Sequence, residues 1–327
     1  MRCLFLCTFL PFARGASQGF YLLAPKTAQL TLTDLATGAQ TPVGGGLDPL
    51  AWEAPSDCTP TATEQTGKWV YTFARAPGAP LTSTPWSVVA MELRDGSVRK
   101  AYALPAAFPP GLPACAHAVA EDGGWHAYVA AVTRGASPRL LMWRFEFTWP
   151  FSNASAPVVD VPLSALGLGG APATLTLAVS NFTAWLALEG GLVGVDLATL
   201  APSRRLPLAG GAAVAGLQYD VAGLPRRVVG LATSRGGDAS LVSFVATGAG
   251  VPRVESTPTA RVAPGAAGWA ALANDKDALV VLGGGRAVAL ALRGGAVAAN
   301  VSACAAAAAG ACPIACAYEP FVFAGAR

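Results

Sequence analysis

The chain has 327 residues, 53% of them hydrophobic and only 13% charged, with 37 Gly and 26 Pro spread along its length. A charged share about half the globular norm, beside so much apolar residue, excludes a disordered polyelectrolyte. Net charge is +3, and Lys and Arg gather no further than pairs such as Arg204-Arg205 and Arg226-Arg227. The basic stripe with stacking aromatics that a nucleic-acid binder needs is lacking, so nucleic acid is not an expected partner.

The first element in chain order is a leader. Met1-Arg2 is a minimal positive region, Cys3 to Ala13 is an apolar run, and small residues follow at Gly15, Ala16 and Ser17. This pattern predicts a signal peptide over residues 1–17, cut between Gly15 and Gly19, and a single mature domain over 18–327. A first buried strand is the other reading of the same run. Ala303 to Ala315 is apolar but is broken by Gly310 and Pro313, so no later segment offers the ~20 apolar residues of a transmembrane helix. Secretion agrees with three sequons, at Asn153, Asn181 and Asn300, each followed two residues on by Ser or Thr. In an oxidising compartment Cys58, Cys115, Cys304, Cys312 and Cys316 could form two bridges and leave one thiol, or stay buried and free.

Beyond the leader, short apolar runs with period-two alternation recur between Gly, Pro, Asp and Ser, which is the signal of strands. The first group is Phe20–Ala24, Gln29–Asp34 and Ala39–Val43. The second is Lys68–Ala74, Ser87–Leu93 and Ser97–Tyr102. The third is Ala114–Ala120, His126–Val132, Arg139–Phe147 and Val158–Leu163. The fourth is Thr174–Val179, Ala184–Leu188, Leu192–Leu197 and Arg204–Leu208. The fifth is Val214–Asp220, Arg226–Ala232, Ser240–Ala246 and Pro252–Glu255. The sixth is Gly268–Ala273, Ala278–Leu282, Ala287–Leu292 and Ala296–Asn300. No window shows a long helical stripe. Four short strands per group at a pitch of roughly 45–55 residues predict an all-β chain with the spacing of a β-propeller. The first group lacks an innermost strand. Ile314–Glu319 or Phe321–Ala324 could return to supply it, since an unsealed edge invites aggregation. The heavy use of Ala carries no helical stripe and is read as base bias in the gene.

One repeat is legible in letters. Leu30-Thr31-Leu32-Thr33-Asp34-Leu35-Ala36-Thr37 matches Leu192-Val193-Gly194-Val195-Asp196-Leu197-Ala198-Thr199, three units apart at that pitch. Physically it is a strand ending in a turn whose donors the Asp carboxylate caps. Together with Gly216-Leu217-Gln218-Tyr219-Asp220, these segments resemble the strand–turn–strand units of secreted propellers of the YVTN, NHL and SMP-30-like groups. The resemblance covers most of residues 19–300 in rhythm and only these short segments in letters. It implies four-stranded blades, six in number, or seven with one degenerate. It also implies, for the SMP-30-like hydrolases, a calcium or other divalent cation held in the central channel by oxygen ligands. The matching positions are Glu121 or Asp122, Asp220, Asn274 with Asp275, and Glu319. Asp220, Asn274 and Asp275 equally suit turns.

Other motifs carry less. Gly15-Ala16-Ser17-Gln18-Gly19 spells a nucleophile elbow, but at the leader's end rather than between a strand and a helix. His117 and His126 are the two histidines, and Cys115 with His117 could share one strand face. Cys312 and Cys316 are separated by three residues rather than the two of a redox motif, so a structural staple is expected. The glycine runs at 167–170 and 283–285 read as hairpin turns. Trp143, Phe145, Phe147, Trp149 and Phe151 form the densest aromatic cluster. Half of it is expected in the core, and Trp149-Pro150-Phe151 forms a loop tip suited to carbohydrate or protein contact, or folded onto its own sheet. The expectation for function is a non-catalytic extracellular scaffold binding protein or glycan, with no cofactor. A metal-dependent hydrolase or lactonase is the alternative.

Overall fold

In the computed structural model the described residues are 19–23, 29–34, 37–45, 47–48, 51–53, 61–63, 69–80, 86–105, 108, 117–121, 126–146, 157–168, 175–180, 183–188, 191–199, 201–208, 212–220, 227–234, 238–245, 254–258, 269–272, 278–283, 286–291, 297–302 and 315–318. The leader, residues 1–17, lies outside them, as do Phe147, Trp149 and Phe151.

Among the described residues the chain is built almost wholly of β-strands, arranged as six antiparallel sheets. The first sheet holds β1 (Gly19–Leu23), β2 (Leu30–Asp34) and β3 (Gln40–Val43). The second holds β4 (Thr61–Thr63), β5 (Trp69–Ala74), β6 (Ser87–Glu92) and β7 (Val98–Ala103). The third holds β8 (His117–Glu121), β9 (His126–Val132), β10 (Arg139–Glu146) and β11 (Val159–Pro162). The fourth holds β12 (Thr176–Val179), β13 (Thr183–Leu188), β14 (Gly191–Asp196) and β15 (Pro202–Pro207). The fifth holds β16 (Ala213–Asp220), β17 (Arg227–Thr233), β18 (Ala239–Val245) and β19 (Glu255–Pro258). The sixth holds β20 (Trp269–Leu272), β21 (Ala278–Gly283), β22 (Arg286–Ala291) and β23 (Val297–Ser302). The last strand, β24 (Ala315–Tyr318), returns to the first sheet and pairs antiparallel with β1, Phe20 opposite Tyr318 and Leu23 opposite Ala315. Of the two closing segments expected from sequence, Ile314–Glu319 is the one used.

The leading strands of the sheets neighbour one another in a cycle: β4 lies by β8, β8 by β12, β12 by β16, β16 by β20, β20 by β24, and β24 by β4. Small antiparallel sheets set in series around such a cycle make a β-propeller.

Packing explains the strand letters. Consecutive sheets enclose separate cores, and alternate residues of one strand feed different ones. On β9, Tyr128, Ala130 and Val132 pack toward the fourth sheet, while Ala127, Val129 and Ala131 pack toward the second. On β13, Ala184 and Leu186 join the core shared with the third sheet, and Trp185 and Ala187 the core shared with the fifth. A sheet buried on both faces needs apolar residues at every position, which is why these strands read as unbroken apolar runs. Alanine therefore has a structural role here, beyond base bias. Ala118, Ala120, Ala127, Ala130, Ala131, Ala178, Ala184 and Ala187 are all buried, and small side chains let the sheets converge toward the axis.

Several local readings change. Thr33, though polar, is fully buried, as is Leu30 on the opposite face of β2. Leu163 starts a short 3-10 helix, Leu163–Leu166, instead of ending a strand. Gly167 caps that helix at φ 71 rather than turning a hairpin, whereas Gly283 pairs with Arg286 around a two-residue connection as expected. The strand expected at Pro252–Glu255 lies at Glu255–Pro258, and β4 was not foreseen.

Candidate functional site

The cycle of leading strands is the natural place to look for a site, since it surrounds the axis. Its side chains, where described, are spent on packing. Ala118, Val119 and Ala120 of β8, all four residues of β12, and Val214, Leu217 and Tyr219 of β16 are buried in the cores between sheets. Thr176 Oγ1 and Tyr219 Oη are buried with no hydrogen-bond partner. Each leading strand heads its sheet and is followed by an antiparallel neighbour. Glu121 ends β8 and Asp220 ends β16, where it pairs in register with Arg227. Both sequence candidates thus stand at the C-terminal ends of leading strands, with His117 at the other end of β8. Asp275, Glu319, Asp122 and Asn274 lie outside the described residues. Among the described residues no three His, Cys, Asp or Glu side chains gather to hold a metal.

The repeated turns are structural. Asp34 Oδ1 accepts from the Thr37 N–H at 2.7 Å and from the Thr37 hydroxyl at 2.9 Å. Asp196 Oδ1 accepts from the Ala198 and Thr199 N–H groups at 2.9 and 2.8 Å and from the Thr199 hydroxyl at 3.1 Å. These bonds hold the Asp196 carboxyl below its ordinary pKa, the Thr199 N–H foremost. Both turns join the last two strands of a sheet, which is the geometry read from the letters.

One polar cluster escaped the sequence reading. Arg75, just past β5, forms a backbone bridge with Glu53, and its Nη2 donates to Glu53 Oε1 at 3.1 Å. Glu53 Oε2 accepts from the Gly78 N–H at 3.1 Å. The guanidinium lies 5.2 Å from the Trp86 ring centroid, and its Nε and Nη1 are buried without partners. The Arg75 hydrogen bond is the first cause of a lowered Glu53 pKa. The cluster fastens the connection between the first and second sheets. No local letter pattern announces it, because Glu53 and Arg75 meet only through the fold.

Of the aromatic cluster, Trp143 and Phe145 lie within the described residues. Trp143 and Phe145 are buried, Arg144 between them is exposed, and Phe108 packs on Trp143 with ring centroids 4.8 Å apart. Asn153, Asn181, Cys58, Cys115, Cys304 and Cys312 lie outside the described residues. Asn300 falls on β23 opposite Val288, and Cys316 on β24 opposite Leu22.

No family model matches the chain, and no curated protein matches it. Solved structures do. A candidate 6-phosphogluconolactonase from Bacteroides uniformis superposes with TM-score 0.50 at 10% identity, over 92% of this chain and 99% of that one. The β-propeller domain of Swd1 from Myceliophteria thermophila gives TM-score 0.44 at 13% identity, over 86% and 82%. AztD from Citrobacter koseri gives 0.38 at 14%, over 88% and 83%. At such identities the likeness concerns the fold and not the chemistry.

Proposed function

We propose that the chain is a secreted, six-bladed β-propeller, freed of the leader at residues 1–17, that binds an extracellular protein or glycan without catalysing a reaction. Each of the six sheets is one four-stranded blade, and β24 closes the ring onto β1. The observation that carries this reading is the use of the leading strands. The described side chains, on β8, β12 and β16, pack between sheets, and the connections that the ring holds out are the groups offered to a partner, the usual division of labour between scaffold and loop. Arg134 to Ser137, between β9 and β10, is such an exposed connection. The test is a screen of the secreted protein against glycan arrays and extracellular protein libraries. Saturable binding weakened by substitutions at Arg134 and Ser137, with the melting temperature unchanged, supports the reading. Exhaustive screens without a binder overturn it.

A second reading, a metal-dependent hydrolase or lactonase of the SMP-30-like kind, is favoured by one observation: Glu121 and Asp220 are each the last residue of a leading strand. It requires a cation linked to folding, so the melting temperature in calcium should exceed that in EDTA by several degrees. Equal values remove it.

A further inference from the structure

We infer that Asn300 carries an N-linked glycan whose role is to guard the outer edge of the sixth sheet. The outermost strand of each sheet offers unpaired N–H and C=O groups to any other strand, and proteins blunt such edges with charge, proline or bulk. Five of the six outer strands here carry charge or proline: Pro42 on β3, Arg99 and Lys100 on β7, Asp160 on β11, Arg205 on β15 and Glu255 on β19. Pro42, Asp160, Arg205 and Glu255 are exposed. The sixth, β23, reads Val-Ala-Ala-Asn-Val-Ser and has neither. It is last in the order of its sheet. A bulge shifts its register between Val297 and Ala299, as bulges do on β7 and β15, but Ala299 to Ser302 then pair unbroken with Ala289 to Arg286. That uncharged run is the one that contains the sequon Asn300-Val301-Ser302. The device missing from β23 is thus replaced, at the same place, by an acceptor for a bulky hydrated group.

The modification balances simply. The Asn300 amide nitrogen displaces the diphosphate from the anomeric carbon of a polyprenyl-diphosphate-linked oligosaccharide. The C–O bond to the diphosphate breaks, the C–N bond forms, the lipid diphosphate leaves, and one amide proton is released. The inference rests on the secretory route proposed above.

The test uses the full chain secreted from a eukaryotic host, with Ser302→Ala to remove the sequon while keeping Asn300. Intact and glycosidase-treated masses locate the glycans, and light scattering over a concentration series gives the assembly state. The expected result is a monomer bearing a glycan at Asn300, a Ser302→Ala protein lighter by one glycan and at least doubled in mass, and a return to monomer when Val297→Lys is added. Enzymatic removal of the glycan from the folded protein should also double the mass, which separates loss of the glycan from misfolding. Glycans at Asn153 or Asn181 with Asn300 bare overturn this inference and leave the secretory route standing. A Ser302→Ala protein that stays monomeric after losing the glycan overturns the guarding role. A chain with its leader intact and all three sequons bare overturns the secretory route and this inference with it.

Discussion

Alanine at Gly44 probes a close approach between the first and second sheets. Gly44 (φ +65) follows β3, and Gly96 (φ +68) lies in the turn between β6 and β7. A Cβ built on Gly44 would sit 1.9 Å from the Asp95 carbonyl oxygen, and one on Gly96 2.4 Å from that of Val43. The two backbones would have to part by about 1 Å, and what they would move against is main chain, not a flexible side-chain tip. A left-handed conformation costs a non-glycine residue about 1–2 kcal/mol, and forcing matter into a filled space adds about 1–3 kcal/mol. Gly44→Ala should therefore lose about 2–5 kcal/mol. Gly78 supplies the control: its φ is +67, but nothing lies within 4 Å of its would-be Cβ, so Gly78→Ala should show only the conformational part, about 1–2 kcal/mol. Urea denaturation of the purified chain, read as midpoint and slope, gives both numbers. Gly44→Ala combined with Gly96→Ala should cost less than the two singles together, because one displacement relieves both contacts. Equal losses at Gly44 and Gly78 would refute the close approach.

Three further outcomes follow from the packing and the charges. Trp143→Ala should cost about 3–5 kcal/mol. Trp143→Phe should cost clearly less, because it keeps the contact with Phe108 and removes a buried indole N–H that lacks a partner; equal urea midpoints for the two variants would contradict this packing. Glu53 has a folded-state pKa below 4.5, so its stabilising contribution is present above about pH 4.5 and is lost as pH falls through the lower folded value. The melting temperature of the wild type should thus fall more steeply below that pH than that of Glu53→Gln, and parallel curves would deny the Arg75 clamp. In β24, neighbouring residues direct their N–H groups to opposite sides, so one of Cys316→Pro and Ala317→Pro removes a bond to β1 while the other does not. Light scattering should show one variant aggregating far more than the other, and two harmless substitutions would mean that β24 does not seal the first sheet.

Local letters were enough for most strands. His126–Val132 was legible at its actual bounds, because burial on both faces makes Ala127 to Val132 one unbroken buried run. The Asp34 and Asp196 turns were also legible, since a carboxylate capping donors two and three residues ahead is an interaction within one turn. Thr61–Thr63 was not, for Thr-Ala-Thr is too short to show a period and is a strand only because Val70 to Thr72 lie beside it. Glu255–Pro258 slipped by several residues for a similar reason: an exposed outer strand shows little apolar pattern. The carboxylates could be assigned to a ring only by analogy, because which ends share a mouth depends on the direction of every leading strand.

The sequence by itself determined the class: short strands, the turns between them, their grouping at a regular pitch, and the absence of any long apolar helix. These are properties of a few neighbouring residues, and strand period and turn chemistry act over that range. Only the tertiary structure decided that the end of the chain pairs with its beginning, that alternate residues of one strand serve two different cores, that Gly44 meets the turn at Gly96, and that Arg75 meets Glu53. Each of these joins residues far apart in sequence, and their energy exists only once the sheets have packed.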